Sequence, residues 1–335
     1  MTAAEITARE EVLALIRGSD RFVLVTHENP DGDALGSLLA MHGVLTALGK
    51  DALMFLDADE LPLPLEYRFL PLQEIATDLP GDVSDRTVIF LDCGNIERNP
   101  AAVLRDGAHL INVDHHHDNT RFGSVNLVVP SASCTAEIVW DLMRELAVEP
   151  VGSVADALYV ALVTDTGRFM YSNTGPRAHR MAAELIATGV NVQSIYRHLY
   201  EDVPYAKIQL LGRALAHVRR YDDGRLTISW LDAEDFEAAG AEDSYSEGFI
   251  DHLRAVRGTR VAALVRDVAG RDRGAARKVS LRSSDEGVDV SAIARALGGG
   301  GHPRAAGFST QLALDDIADA LRGAMAAQLE ASAVA

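Results

Sequence analysis

Short, fully apolar runs recur through the first half of the chain, with helical periodicity between them. Phe22–Thr26 (FVLVT), Thr87–Leu91 (TVIFL) and His109–Val113 (HLINV) read as buried strands. Ala34 to Leu48 reads as a helix closed by Gly49, and the apolar stretch Ala157 to Val163 continues a helical pattern that starts at Val154. Short apolar strands alternating with helices predict a mostly parallel sheet with helices on both faces. In such sheets ligands gather beyond the carboxyl ends of the strands. His27 follows the first of these strands, Asp92 the second, and Asp114 with His115 the third.

The pattern changes after Gly189. Residues 192 to 220 read as two helices broken at Val203-Pro204. From Arg225 a second α/β pattern begins, with strands at Leu226–Trp230, Arg260–Val265 and Lys278–Arg282. A helix over Val290–Leu297 runs into Gly298-Gly299-Gly300-Gly301-His302, and an amphipathic helix over Leu314–Leu329 closes the pattern. The expected organisation is a parallel-sheet α/β domain over 1–188, a helical linker over 189–222 and a smaller α/β domain over 223–335. A length of 335 residues fits two domains.

Charge narrows the partners. The formal net charge is -18, which argues against a chain that grips long DNA through a basic face. An anionic substrate must then be held by local cations or bound metal. Cys93 and Cys134 lack metal-ligand spacing and sit in apolar surroundings, so they read as buried thiols in a reducing compartment. The N-terminal segment MTAAEITAREEV is polar and helical in pattern, unlike a signal peptide, and no apolar run is long enough to span a membrane. The expectation is a cytoplasmic protein with no membrane partner.

The polar residues at the strand ends carry the chemistry. His27-Glu28-Asn29-Pro30-Asp31-Gly32-Asp33 places a histidine and two aspartates in one strand-to-helix turn. Carboxylates suit hard divalent ions and imidazole suits transition metals. Asp31 or Asp33 could equally cap the following helix. Asp92, the run Asp114-His115-His116-His117, and Asp165 in Val163-Thr164-Asp165-Thr166-Gly167-Arg168 shift the balance, because together they supply ligands for two ions. Two ions about 3.5–4 Å apart can stabilise both the attacking and leaving oxygens of phosphoryl transfer. Consecutive glycines at Gly298–Gly301 allow backbone N–H groups to approach a phosphate or base, with His302 and Arg304 as added donors. Arg168 is a candidate substrate contact, and Arg98 a candidate brace for the site.

These motifs, in this order, resemble the DHH phosphoesterases. His27 to Asp33 matches the first family motif, Asp92 the second, Asp114-His115-His116 the third and Asp165 the fourth; Gly298 to Gly307 (GGGGHPRAAG) matches the signature of the associated DHHA1 domain. The resemblance implies two divalent metal ions, usually Mn2+. His27 and Asp31 would hold one, Asp33, His115 and Asp165 the other, and Asp92 would bridge both. Asp114 would orient a histidine, and His116 would face the substrate phosphate as a catalytic proton donor or charge stabiliser. Gly299, Gly300, Gly301, His302 and Arg304 would bind nucleotide, joined by Arg282 and Ser283 of the strand Ser280-Leu281-Arg282-Ser283-Ser284.

Three branches of the family fit the metal motifs. RecJ-like single-strand exonucleases are longer and add an oligonucleotide-binding domain. Family pyrophosphatases lack the GGGGH run. The branch with this size and architecture hydrolyses very short RNA and dinucleotides, removes the 3′-phosphate of 3′-phosphoadenosine 5′-phosphate (pAp) and, in some members, opens cyclic di-AMP. That branch implies a homodimer. A nucleotide sensor that has lost catalysis is a further alternative, opposed by the presence of every expected ligand.

Overall fold

Helix α1 (Ala3–Gly18) opens on a reciprocal capping box between Thr2 and Glu5 and leads into β1 (Arg21–Val25). Asp31 caps α2 (Gly32–Ala47), and Gly49, at φ +71°, turns the chain into β2 (Asp51–Met54). The strands β3 (Thr87–Leu91), β4 (His109–Asp114) and β5 (Val125–Val128) follow, then α3 (Thr135–Glu145), α4 (Ser153–Asp165), α5 (Pro176–Ala187) and α6 (Val192–Tyr200). This computed structural model describes residues 2–99, 101–267, 277–301 and 303–334, with the side chains of 332–334 left aside. The chain divides into two units, Met1–Asp202 and Val203–Ala335. The division falls inside the segment expected as a linker. No described helix is long and apolar enough to cross a membrane.

The first unit is built on a parallel sheet of order β2-β1-β3-β4-β5. Alternate residues of the central strands face opposite sides. Phe22, Leu24, Ile89, Leu91, Ile111 and Val113 join the cluster that α1 to α6 cover. Val23, Val25, Val88 and Phe90 face the other side, where Val83 and Leu104 of two 3-10 helices cover them. Helices thus lie on both faces, but the α-helices occupy one face and short 3-10 turns the other. Val25 pairs with Phe90 and Leu91 with Val113, so β1, β3 and β4 end at one level. The chain leaves β1 toward β2 and returns to place β3 on the opposite side. That reversal opens a crevice beyond the ends of β1 and β3.

Glycine brings α2 against α4. A Cβ at Gly32 would lie 2.3 Å from the Thr164 hydroxyl, one at Gly36 2.4 Å from the Ala157 carbonyl oxygen, and one at Gly43 2.4 Å from a Val154 methyl. The stripe carries the start of α2 close to the end of α4, where Asp165 sits.

The second unit begins with α7 (Tyr205–Ala216), β6 (Arg219–Tyr221) and β7 (Leu226–Leu231). It continues through α8 (Ala233–Ala239), α9 (Phe249–Arg254), β8 (Val261–Asp267), β9 (Arg277–Ser283), α10 (Val290–Ala296), β10 (Gly300–Gly301), β11 (Ala305–Thr310) and α11 (Leu314–Val334). Its sheet has the order β10-β11-β9-β8-β7-β6, antiparallel except for the parallel pair β7–β8. α10 and α11 bury one face of the sheet and α7, α8 and α9 the other. Helix α7, expected in the linker, packs Leu210 and Ala214 into this second unit, whereas Ile195 and Leu199 of α6 belong to the first.

Gly36→Val is expected to destabilise by about 1–3 kcal/mol, because a backbone carbonyl cannot turn away from the new side chain. Urea denaturation reads this as a lower midpoint at unchanged slope. A midpoint at or above that of the wild type would mean that the two helices have room to spare.

Candidate metal centre

Beyond β1, the chain uses His27, Asp31 and Asp33 in three ways. The Nδ1–H of His27 donates to the Glu28 carbonyl at 2.7 Å, which turns Nε2 toward Asp92 Oδ2 at 3.6 Å. Asp31 does cap α2, its Oδ1 accepting from the amides of Asp33 at 3.0 Å and Ala34 at 3.1 Å. Capping and ligation are therefore not alternatives, since the same carboxylate also groups with His27 and Asp92, with ligand atoms within 4.8 Å of one another. Asp33 points inward and is 1% exposed. Its two oxygens accept from the Thr135 amide at 2.6 Å and the Ala136 amide at 3.0 Å. Cys134, at the N-cap position of α3, supplies no side-chain acceptor, so Asp33 caps that helix from across the core.

Asp92 and His115 join the groups. Asp92 leaves β3 at φ +57° and is 2% exposed, with Oδ1 accepting from the Thr135 hydroxyl at 3.0 Å. His115 Nε2 lies 3.9 Å from Asp33, 3.7 Å from Asp92 and 3.8 Å from Asp165. These separations are too long for hydrogen bonds but suit atoms sharing an ion, since ligands about 2.1 Å from one metal lie about 3–4 Å apart. Asp33, His115 and Asp165 form a second group within 4.8 Å, and Asp92 stands between the two groups. Every residue expected as a metal ligand is brought together at the strand ends.

Asp114 is fully buried and has a different role. Its Oδ1 accepts from His116 Nδ1 at 2.6 Å and from the His115 amide at 2.8 Å, and its Oδ2 accepts from Asn119 at 2.5 Å. It aligns the His116 ring and fixes the His115 backbone while its own oxygens are taken. His116 also lies near Asp92 and His115, but its Nδ1 is committed to Asp114. His117 is exposed.

The charges explain why cations belong here. Burial first, then Asp92, Asp165 and Asp31, raise the Asp33 carboxyl well above the ordinary range. Burial also pushes Asp165 up to about 7, with Asp92 and Asp31 adding to the shift and His115 opposing it. Burial acts the same way on Asp92, but His27, His116 and His115 outweigh it and hold that carboxyl low. Burial would lower His116, yet Asp114 and Asp92 raise it to about 9. A further sign is Asn173. Its Nδ2 binds Asp165 Oδ2 at 3.0 Å and the Ser133 carbonyl at 2.8 Å, while its buried Oδ1 has no partner among the described residues. The mixed carboxylate and imidazole set, with this excess of buried negative charge, fits divalent ions of the manganese, cobalt and zinc kind.

Sequence reasoning missed Thr135, Asn119 and Asn173. Each is an ordinary polar residue in a loop or helix start, and Thr135 meets Asp33 from 102 positions away. Arg168 does not enter the ligand cluster. It lies in a turn where Gly167, Arg168 and Phe169 have φ of +53°, +63° and +65°, and its guanidinium stacks 4.9 Å from the centre of the Tyr200 ring.

The second unit holds the remaining expected residues. Arg282 donates to the neighbouring Leu281 carbonyl at 3.1 Å. Ser283 is buried, and its hydroxyl donates to the Asp285 carbonyl at 2.9 Å. Arg304 donates to the Asp285 carbonyl and lies 3.8 Å from Glu286. His302 lies outside the described residues. The glycines differ in what requires them. Gly298 has φ +83°; a Cβ at Gly299 would lie 2.1 Å from the Gly307 carbonyl oxygen, and one at Gly301 2.6 Å from that of Ala305. A Cβ at Gly300 would meet nothing within 4 Å among the described residues, and its backbone makes no such demand.

A parallel sheet with two acid–histidine groups at its switch point, followed by a glycine-edged, mostly antiparallel sheet, defines a two-part metal-binding class. The chain belongs to the DHH family. The family's N-terminal domain matches residues 21–162, and the DHHA1 domain matches residues 225–327. It is 37% identical to the bifunctional oligoribonuclease and PAP phosphatase NrnA of Thermus thermophilus, over 89% of this chain and 86% of that protein. It is 27% identical to the Bacillus subtilis protein of the same name, over 90% and 93%. The fold resembles that of an exopolyphosphatase-related protein from Bacteroides fragilis, with a TM-score of 0.84, 22% identity and 96% of each chain covered.

Divalent ion binding is expected to release protons and to strengthen from about pH 5 to about pH 7, because Asp165 holds a proton below about 7 that an ion must displace. In the metal-free protein the sign for stability is the reverse. An unfolded aspartate loses its proton near about 3.9 and the folded one retains it to about 7, so stability falls as pH rises between those values. Calorimetry in buffers of different ionisation enthalpy, with urea midpoints across that range, measures both. Ion binding without proton release at about pH 5 would remove the charge argument.

Proposed function

We propose that this chain is a two-metal phosphoesterase that hydrolyses short oligoribonucleotides and dinucleotides to mononucleotides and removes the 3′-phosphate of pAp. The observation that carries the reading is the pair of ligand groups, His27–Asp31–Asp92 and Asp33–His115–Asp165, with Asp92 between them. His27, Asp31 and Asp92 hold one ion in this proposal, and Asp33, His115 and Asp165 hold the other. Manganese is the proposed ion, and cytoplasmic location and a homodimer belong to the same reading. Bound ions would lower the pKa of a water and neutralise charge on the phosphoryl oxygens.

The protein's own groups prepare the rest. Asp114 holds the His116 ring in one orientation, with Nδ1 bound at 2.6 Å, and favours its cationic form. His116 then donates a proton toward the departing oxygen or stabilises charge there. Thr135 and the start of α3 hold Asp92 and Asp33 in place before substrate arrives. Within the glycine run, Gly300 is the position on which the described fold makes no demand, which supports a role facing a ligand. Arg282, Gly299, Gly301, His302 and Arg304 are proposed as substrate-binding residues, and so, separately, is Arg168 of the first unit. The Ser283 hydroxyl, already engaged by Asp285, supports the loop in this proposal. The identity to relatives named for oligoribonuclease and PAP phosphatase activity supports this choice of substrates.

Asp92→Ala and His115→Ala are each expected to cut manganese-dependent hydrolysis of pApA and pAp by about a hundredfold or more. Wild-type rates in either variant would overturn the ligand assignment. A panel of pAp, pApA, pGpG, cyclic di-AMP and a 24-mer RNA ranks the substrates, and dominant cleavage of the 24-mer would point to a processive exonuclease instead. Gly300→Ala is expected to raise KM for pApA by about tenfold, the cost of an ill-fitting methyl, without moving the unfolding midpoint. An unchanged KM would place Gly300 away from substrate.

A further inference from the structure

We propose that Arg98 is a binding residue for the phosphate being cleaved, an inference that rests on the phosphoesterase reading. Arg98 ends a 3-10 turn (Ile96–Arg98) that follows Asp92 and is pinned to the first metal motif. Its carbonyl accepts from the Glu28 amide at 2.7 Å, and the neighbouring Asn99 side chain donates to the Thr26 carbonyl at 2.8 Å. The backbone on both sides of His27 is therefore tied to this turn. Asn95 steadies the turn in turn, its side chain accepting from the Glu97 amide at 3.1 Å.

The side chain is the anomaly. Arg98 is half-buried, and among the described residues its guanidinium has no carboxylate or hydrogen-bond partner. Exposed arginines of this unit such as Arg121 and Arg180 also stand without a carboxylate among the described residues, but the others that are not exposed are paired, Arg9 with Glu145, Arg86 with Asp51 and Asp82, and Arg177 with Glu137. The chain has 49 acidic residues against 31 Lys and Arg, so an arginine beside a carboxylate cluster does not lack possible partners. Its charge acts on both His116 and Cys93, so it lies within electrostatic range of the cluster. A guanidinium presents two parallel donors that match two oxygens of a phosphate. Arg98 would grip the non-bridging oxygens of the phosphomonoester or phosphodiester, complementing ions on its other side. Arg168, whose guanidinium is stacked on Tyr200, is less ready for that role.

The test compares Arg98→Gln, Arg98→Lys and, as a control for the lost charge, Arg105→Gln on the purified full chain with manganese. Arg98→Gln is expected to lower kcat/KM for pApA and pAp by about a hundredfold, comparable to losing one preorganised donor to a reacting group. Inhibition by inorganic phosphate should weaken in parallel, and Arg98→Lys should restore part of both. Manganese stoichiometry by calorimetry and the unfolding midpoint should stay at wild-type values, and Arg105→Gln should behave as wild type. Unchanged kcat/KM and phosphate inhibition in Arg98→Gln would overturn the proposal. So would a loss accompanied by lost manganese or a lowered midpoint, which would make Arg98 a support for the loop. Wild-type protein that hydrolyses neither substrate would instead overturn the phosphoesterase reading.

Discussion

Mutual repulsion among buried carboxylates is the constraint that organises the first unit. Asp33, Asp92 and Asp165 share one region with Asp31 at its edge, and two of them are pushed toward their neutral forms. A fold gains nothing by collecting such groups unless something else offsets the charge. The protein offsets part of it internally. The start of α3 faces Asp33, and three histidines face Asp92. What remains is a deficit that divalent ions can fill, and the surrounding hydrogen bonds hold the ligands in position for them.

The backbone geometry follows the same demand. Strand ends at one level bring His27, Asp92 and His115 side by side, but Asp165 comes from a helix and must be carried in separately. The glycine stripe of α2 does this by letting α4 approach more closely than any side chain would permit. Asn173 then closes the turn that leaves Asp165. Precise ligand spacing thus depends on helix packing as much as on the ligands.

The central strands and their polar ends were legible in sequence because each is a largely apolar run that stops at a histidine or aspartate. The edge strands β2 and β5 were not: each has only four residues and is partly exposed, and an apolar run as short as Ala52–Leu56 does not by itself distinguish strand from helix. β11 escaped for another reason: Ala305–Thr310 is small-residue sequence, and Gly307 is needed there because a Cβ would lie 2.9 Å from the Val279 carbonyl oxygen. The ligands were legible as anomalies of type and place. Their supports, Thr135, Asn119 and Asn173, were not, because a single hydroxyl or amide in a loop gains its meaning only from what lies across the core. The expectation that an aspartate either caps a helix or binds metal also failed as a choice, since Asp31 does the first while remaining grouped for the second.

The bond between Asp33 and the start of α3 has a consequence for reading variant data. Asp33 serves the fold with the same two oxygens that it would offer an ion under the proposed assignment. His115, which faces the cluster from the end of a strand, has no comparable duty to a helix. In a scan that scores cellular abundance separately from activity, substitutions at His115 should deplete activity alone. Those at Asp33 should deplete both, and would be mistaken for damage to an ordinary core position if abundance were the only score.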